Sequence, residues 1–163
     1  MVIDELLEKS QAHSATFTHG HLTAPPARRV AIVTCMDARI DVHAIFGLQP
    51  GDAHVIRNAG GAVTDDAIRS LAISQRLLGT EEIMVMHHTS CGMMGFSGDD
   101  FARQIQDETG IRPGWAVETF ADLEGDVRQS LARIHASPFL PRKDAVRGFV
   151  YDVSTGRVSE VRP

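Results

Sequence analysis

The chain has 163 residues, of which 43% are apolar and 23% are charged, and its formal net charge is −5. This length suits one domain with one core, and the composition is typical of a soluble globular protein. The net negative charge and the lack of a lysine- or arginine-rich run argue against nucleic acid or an anionic membrane as a partner. We therefore expect one domain, residues 1–163, that binds neither.

The sequence contains no apolar stretch of the roughly 20 residues that a membrane-spanning helix needs. Its first ten residues are acidic and lack the pattern of a secretory signal. The two cysteines therefore suit a reducing compartment, in which thiols stay free or bind a metal. We expect a cytoplasmic protein.

Residues 2–12 have the pattern of a short helix, with Ile3, Leu6 and Leu7 on one side. Residues 13–28 contain two consecutive prolines and favour an extended connection. A helix this short is not stable alone in water. We therefore expect residues 1–28 to form a helix and arm that pack on a partner subunit.

Three apolar runs predict strands. RVAIVTC ends at Cys35, AHVIRNAGG leads into a glycine turn, and EEIMVMHH ends at His88. An unbroken β-branched run such as the first is typical of a strand that is covered on both faces of a parallel sheet.

Helices are expected between and after these strands. Thr64 is a candidate cap for the first, which has two aspartates in its opening turn and Gly79 beyond its end. Two others are expected at residues 99–108 and roughly 119–135, and VRGFVYDV with RVSEVR predicts a terminal β-hairpin. Together, these elements predict an α/β fold: a mostly parallel central sheet flanked by helices, with a C-terminal β-hairpin.

The most reactive side chains follow the carboxyl ends of two predicted strands. Cys35 ends the first strand, while His88 and Cys91 form a His-x-x-Cys motif at the end of the third. In open α/β sheets, ligands bind at this edge. Zinc prefers thiolate sulfur and imidazole nitrogen as ligands, so the three residues predict one Zn²⁺ per subunit if the two strands are neighbours.

Asp37 and Arg39 follow Cys35 as Cys-x-Asp-x-Arg. Three protein ligands with an open fourth position are typical of catalytic zinc, and four are typical of structural zinc. Asp37 could be the fourth ligand, or it could accept a hydrogen bond from a water there, while Arg39 could hold its carboxylate away from the metal. We therefore treat Asp37 and Arg39 as candidate catalytic residues and keep Asp37 as a candidate metal ligand.

Simpler interpretations exist for these residues. A buried cysteine is usually a small apolar residue, and Asp37 with Arg39 could be only a surface ion pair. A disulfide or redox pair of Cys35 and Cys91 is a further alternative, although the chain has no Cys-x-x-Cys motif. The coincidence of two ligand-bearing segments, each at the end of a strand, favours zinc.

The segments CMDARID and HHTSCG, with RNAGG between them, resemble the β-class carbonic anhydrases. DDAIRSLAISQRLLGT is similar to the short, compact bacterial branch of that family, and RGFVYDVSTGRV to its closing strands. The resemblance implies a β-carbonic anhydrase-like fold with Cys35, His88 and Cys91 as zinc ligands. It also implies that Asp37 either binds zinc or pairs with Arg39, and that the chain is a homodimer or a dimer of dimers.

The resemblance implies reversible hydration of CO₂ to bicarbonate and a proton by attack of zinc-bound hydroxide. The alternatives are hydrolysis of carbonyl sulfide or carbon disulfide at the same site, and a non-catalytic zinc module closed by Asp37. Side chains that could line an apolar pocket, although such residues are more often core, are Met93, Met94 and Phe96. His54 and His87 could relay protons, but a packed or surface histidine is the more common case, so we assign no relay.

Overall fold

Alternating apolar runs and amphipathic stretches produce the predicted α/β fold in the computed structural model, which describes residues 1–162. In chain order the elements are α1 (Val2–Ala15), β1 (Val30–Cys35), α2 (Val42–Phe46), β2 (Ala53–Asn58), α3 (Asp65–Arg76), β3 (Glu82–His88), α4 (Gly98–Thr109), α5 (Leu123–Ala136), β4 (Val146–Tyr151) and β5 (Val158–Val161). Short 3₁₀ turns follow β2 at Ala59–Gly61 and β3 at Gly92–Met94.

The five strands form one sheet in the order β2-β1-β3-β4-β5. The first four are parallel, and β5 pairs antiparallel with β4 as the second strand of the hairpin. In the register, Val33 of β1 lies beside Val85 of β3, and Cys35 lies beside Asn58 of β2. The expectation of a mostly parallel sheet with a terminal hairpin is confirmed, and β1 and β3 are neighbours as the metal hypothesis requires.

The sheet separates two cores because alternate side chains of each strand point to opposite faces. On one face, Val33 and Val85 pack with α3 and α5, whose buried residues include Leu71 and Ile134. On the other face, Cys35 and Cys91 belong to a smaller cluster around Met86. The candidate ligands therefore lie in the second core, at the carboxyl edge of the sheet.

The helix ends follow their capping residues. The Thr64 side chain accepts a hydrogen bond from the Ala67 amide, as its position before two aspartates predicts. Asp122 caps α5 in the same way, so this helix begins at Leu123 rather than near residue 119. The sequence interpretation was also wrong to end the first helix at residue 12, since α1 continues to Ala15, and it missed α2.

Helix α1 contributes nothing to either core. None of its residues is buried within residues 1–162, and the side chains of Val2, Ile3, Leu6 and Leu7 are exposed. Across the same described residues, no helix is both long enough and apolar enough to cross a membrane.

Candidate metal centre

Two neighbouring parallel strands bring the candidate ligands together. Cys35 is the last residue of β1 and His88 the last residue of β3. Cys91 returns to the same place through a tight turn in which Ser90 adopts a positive φ of 54°. The structure thus places residues that are 53 positions apart in sequence at one edge of the sheet.

The ligand atoms of Cys35, His88 and Cys91 all lie within 4.8 Å of one another. The three residues are buried, with exposures of 4%, 0% and 6% in that order, and both cysteines are free thiols. His88 donates from Nδ1 to the Thr89 carbonyl oxygen at 2.9 Å, which leaves Nε2 as the basic nitrogen. Within residues 1–162, this buried Nε2 has no hydrogen-bond partner.

These observations fit a metal ion. The Cys35 and Cys91 sulfurs are 4.0 Å apart, and two thiolates on one tetrahedral zinc ion are separated by ~3.8 Å at the usual Zn–S distance. Because an unpaired buried nitrogen is costly, the orientation of His88 is best explained by a ligand on Nε2. Cys35, His88 and Cys91 are therefore the residues that would hold zinc.

Asp37 is turned toward Arg39. The guanidinium donates from Nε to Oδ1 at 2.9 Å and from Nη2 to Oδ2 at 2.7 Å, and Nη2 also donates to the Ser90 carbonyl oxygen at 3.0 Å. Oδ2 of Asp37 nevertheless lies only 3.7 Å from Nε2 of His88. The carboxylate therefore stands beside the candidate ligands while being held by Arg39.

Hydrogen bonds from Arg39 hold the pKa of Asp37 well below its usual range, so this carboxylate is ionised at any physiological pH. Burial opposes ionisation of Cys35, but contact with His88 and the amides of Asp37 and Gly60 outweigh it and lower the pKa of this thiol to about 7. Burial raises the pKa of Cys91 to about 11. Near neutral pH the Cys35 thiol is therefore partly ionised, whereas Cys91 would have to lose its proton when a metal ion binds.

Arg57 is a member of the site that the sequence reasoning missed. Its guanidinium donates to the carbonyl oxygen of Cys35 at 2.9 Å and to that of Asp37 at 2.7 Å. It thereby fixes the backbone between a candidate ligand and the candidate catalytic carboxylate. The signal was available in IRNAGG, where a cation directly follows an apolar run at the end of a predicted strand.

The residues that the sequence suggested for the pocket lining and for proton relay do not all lie near the candidate ligands. Met93 packs in the core that contains Cys35 and Cys91, whereas Met94 and Phe96 are 38% and 41% exposed. His54 lies at the amino end of β2, where it contacts Ser74 and a carbonyl of the N-terminal arm. His87 is completely buried.

Comparison with known proteins gives concordant results. The family model described as Carbonic anhydrase matches residues 30–115, which include all three candidate ligands. Beta-carbonic anhydrase 1 of Mycobacterium tuberculosis is 56% identical over 162 residues, covering 99% of each chain. The carbon disulfide hydrolase of Saccharolobus solfataricus is 33% identical, with 96% of this chain and 87% of that one covered.

A solved structure agrees with the sequence relatives. The crystal structure of carbonic anhydrase from Streptococcus mutans has a TM-score of 0.92 and 44% identity, and the alignment covers 99% of this chain and 98% of that one. A family model over more than half of the chain, a relative of 56% identity over its full length and a matching fold lead to one conclusion. The chain belongs to the β-carbonic anhydrase family.

Proposed function

We propose that the chain catalyses the reversible hydration of CO₂ to bicarbonate and a proton, with one zinc ion held by Cys35, His88 and Cys91. The observation that carries this function is the Asp37–Arg39 pair beside the buried triad. Arg39 holds the Asp37 carboxylate away from the three ligand atoms. The fourth position of a zinc ion bound there would therefore be open to water, which is the arrangement that metal-assisted hydration requires.

When bound, zinc supplies Lewis-acid chemistry, which makes a water a usable nucleophile near neutral pH. Asp37 is 17% exposed and ionised, so it acts as a fixed acceptor for a proton of that water. The Arg39 guanidinium and the Ser90 carbonyl fix the position of the carboxylate. This orients the attacking oxygen, an effect that preorganised hydrogen bonds provide without reorganisation during the reaction.

Apolar side chains beside the cysteines suit a small uncharged substrate. Met93 and Phe120 pack against the core that contains Cys35 and Cys91, and both approach the position where a Cβ of Gly60 would lie, at 3.3 and 3.6 Å. A side chain at position 60 would be tight against Met93, and the φ of 78° at this position also favours glycine. Such a surface binds CO₂ weakly and excludes water from the reacting carbon.

Asp37 has a second role in this proposal, as the fourth metal ligand of a closed state. Its Oδ2 is 3.7 Å from the ligand nitrogen of His88, so a carboxylate released by Arg39 would be close enough to serve as a fourth ligand of a bound ion. High pH would favour displacement of the carboxylate from the ion, and we therefore expect activity to rise with pH.

The chain acts as a homodimer, or as a dimer of dimers, in which α1 packs on the partner subunit. The helix has an unburied apolar side, and a groove of ≈ 520 Å³ along α3 is lined by apolar side chains and bordered by Asp65, Arg69 and Arg76. The first turn of α1 carries Asp4 and Glu5, which complement these arginines. The two free thiols support the proposal that this assembly works in a reducing compartment, the cytoplasm.

Stopped-flow measurement of CO₂ hydration from pH 6 to 9, with zinc content determined on the same sample, tests the function. We expect one zinc per chain and a kcat/KM that rises with pH. Hydrolysis of carbon disulfide is measured in parallel, because relatives of lower identity carry that name. Zinc-loaded protein with no CO₂ hydration at any pH would contradict the proposal. Sulfide release faster than CO₂ hydration would show that carbon disulfide is the preferred substrate.

A further inference from the structure

His87 is the member of the HHTSCG segment that the proposed reaction does not use. Its side chain is 0% exposed, although it carries two polar ring nitrogens. We propose that His87, supported by Asp126, is a positioning residue that holds the turn at Ala59–Gly61 against Cys35 and thereby sets the affinity of the chain for zinc. The inference rests on the metal site of the proposed function and extends it to residues that do not touch the ion.

The two ring nitrogens of His87 reach two different elements. Nε2 donates to the carbonyl oxygen of Gly61 at 3.2 Å. Nδ1 lies 3.1 Å from Oδ2 of Asp126, which belongs to α5. Neither Nδ1 nor Oδ2 makes a hydrogen bond in the part of the chain that the structure describes, so this close approach, and not a hydrogen bond, is what links His87 to α5.

The turn that receives this hydrogen bond is in direct contact with the first metal ligand. An ideal Cβ on Gly61 would lie 2.9 Å from the backbone nitrogen of Cys35, so only glycine permits this approach, and its φ of 74° also favours glycine. Displacement of the turn would therefore disturb the backbone position of Cys35.

His87 is also adjacent in sequence to the second metal ligand. Successive residues of β3 point to opposite faces of the sheet, so His87 anchors the strand from one side while His88 enters the metal site from the other. A single side chain thus links the strand end that carries His88 to the turn that supports Cys35. Groups that orient metal ligands in this way typically change metal affinity by about ten- to a hundredfold when removed.

A merely structural role for His87 makes a different prediction, which two substitutions separate. His87→Gln places an amide donor near the position of Nε2 and retains the bond to the Gly61 carbonyl. His87→Asn is too short to reach that carbonyl. Both variants remove the imidazole from the core, so a role in packing alone would weaken both in the same way.

The experiment measures zinc affinity by chelator competition, together with the visible spectrum of the cobalt(II)-substituted protein and the unfolding midpoint of the metal-free chain. We expect His87→Asn to weaken zinc binding by about tenfold or more and to shift the cobalt spectrum, and His87→Gln to stay within about threefold of the wild type. Asp126→Asn alters the residue that lies beside Nδ1 of His87. It should also weaken zinc binding, but by less than His87→Asn does. His54→Asn, at the opposite edge of the sheet, is the matched control and should leave the affinity unchanged.

Equal zinc affinities and spectra in His87→Asn and the wild type would overturn the inference, as would equal weakening in the Asn and Gln variants. The wild-type titration separates this failure from that of the proposed function. If the wild type binds zinc and the variants match it, only the role of His87 is wrong. A wild type that binds no zinc would overturn the metal site itself.

Discussion

The carboxyl edge of the sheet and helix α1 differ strongly in how far their side chains are buried. At the sheet edge, Cys35, His88 and Cys91 are almost completely buried and their ligand atoms lie within 4.8 Å of one another. In α1, which lies within the described residues 1–162, no residue is buried, and its large apolar side chains are each more than half exposed. One region is completed by contacts within its own chain, whereas the other presents an apolar surface that the chain does not cover.

The difference indicates which properties a single chain provides by itself. Candidate ligands at strand ends are positioned by the backbone of the sheet, so a single chain is sufficient to bring them together. An isolated helix of 14 residues has no comparable support, because helix stability in proteins comes mainly from packing of an amphipathic face. Changes at the sheet edge should therefore affect metal and activity, and changes in α1 should affect assembly.

The largest effect is expected for Cys91→Ser. A hydroxyl is a much poorer zinc ligand than a thiolate, so the variant should lose the ion and reduce kcat/KM for CO₂ hydration by about a thousandfold, equivalent to several kcal/mol of lost Lewis-acid stabilisation. Zinc content and stopped-flow rates measure this, and the oligomeric mass should not change. Met94→Ala, at a half-exposed neighbour, is the control. Full zinc with wild-type rates in Cys91→Ser would contradict the assignment of this ligand.

The next largest effect concerns α1 and should leave the metal site intact. Leu6→Glu combined with Leu7→Glu places charge on the apolar side of the helix and removes the burial of two leucines, each worth about 1.5–3 kcal/mol. The dissociation constant of the dimer should rise by about a hundredfold or more, as measured by sedimentation. Ala12→Glu with Ala15→Glu, on the opposite side of α1, should leave the mass unchanged. A wild type that is monomeric at all concentrations would contradict the comparison.

Arg39→Ala tests whether the arginine keeps Asp37 from becoming the fourth ligand of the zinc ion. Without its partner, the Asp37 carboxylate can turn toward the metal, so kcat/KM at neutral pH should fall by about tenfold or more while zinc content remains full. Arg103→Ala removes an exposed pair with Asp99 on α4 and is the control. A variant with full zinc content and undiminished activity would show that Arg39 does not control the site.

The smallest effect, compared over a single pH unit, is the pH dependence of zinc binding. Burial raises the pKa of Cys91 to about 11, whereas contacts with His88 and backbone amides lower that of Cys35 to about 7 despite its burial. Zinc must therefore displace a proton from Cys91, and the apparent affinity should rise by about tenfold per pH unit from pH 7 to 9. Chelator competition measures this slope, which the α1 double variant should share. A flat profile over this range would contradict the protonation state of Cys91.

Much of the fold followed from local patterns. The run ending at Cys35 is rich in β-branched residues and unbroken, and it forms β1, an interior strand of the sheet. The cap at Thr64 acts as predicted. The missed helix α2 has only five residues and one buried side chain, so no periodicity could indicate it, although its Asp41 cap and the left-handed Gly47 at its end were visible signals.

The sequence by itself determined the strands, the fold class and the candidate ligands, because β-branched runs and the chemistry of thiol and imidazole are properties of single residues. Only the tertiary structure decided that Asp37 turns to Arg39, that Arg57 holds the backbone between Cys35 and Asp37, and that His87 contacts α5 and the turn. These contacts join elements that are distant in sequence. Their geometry depends on strand register and on the packing of α5, which no local pattern encodes.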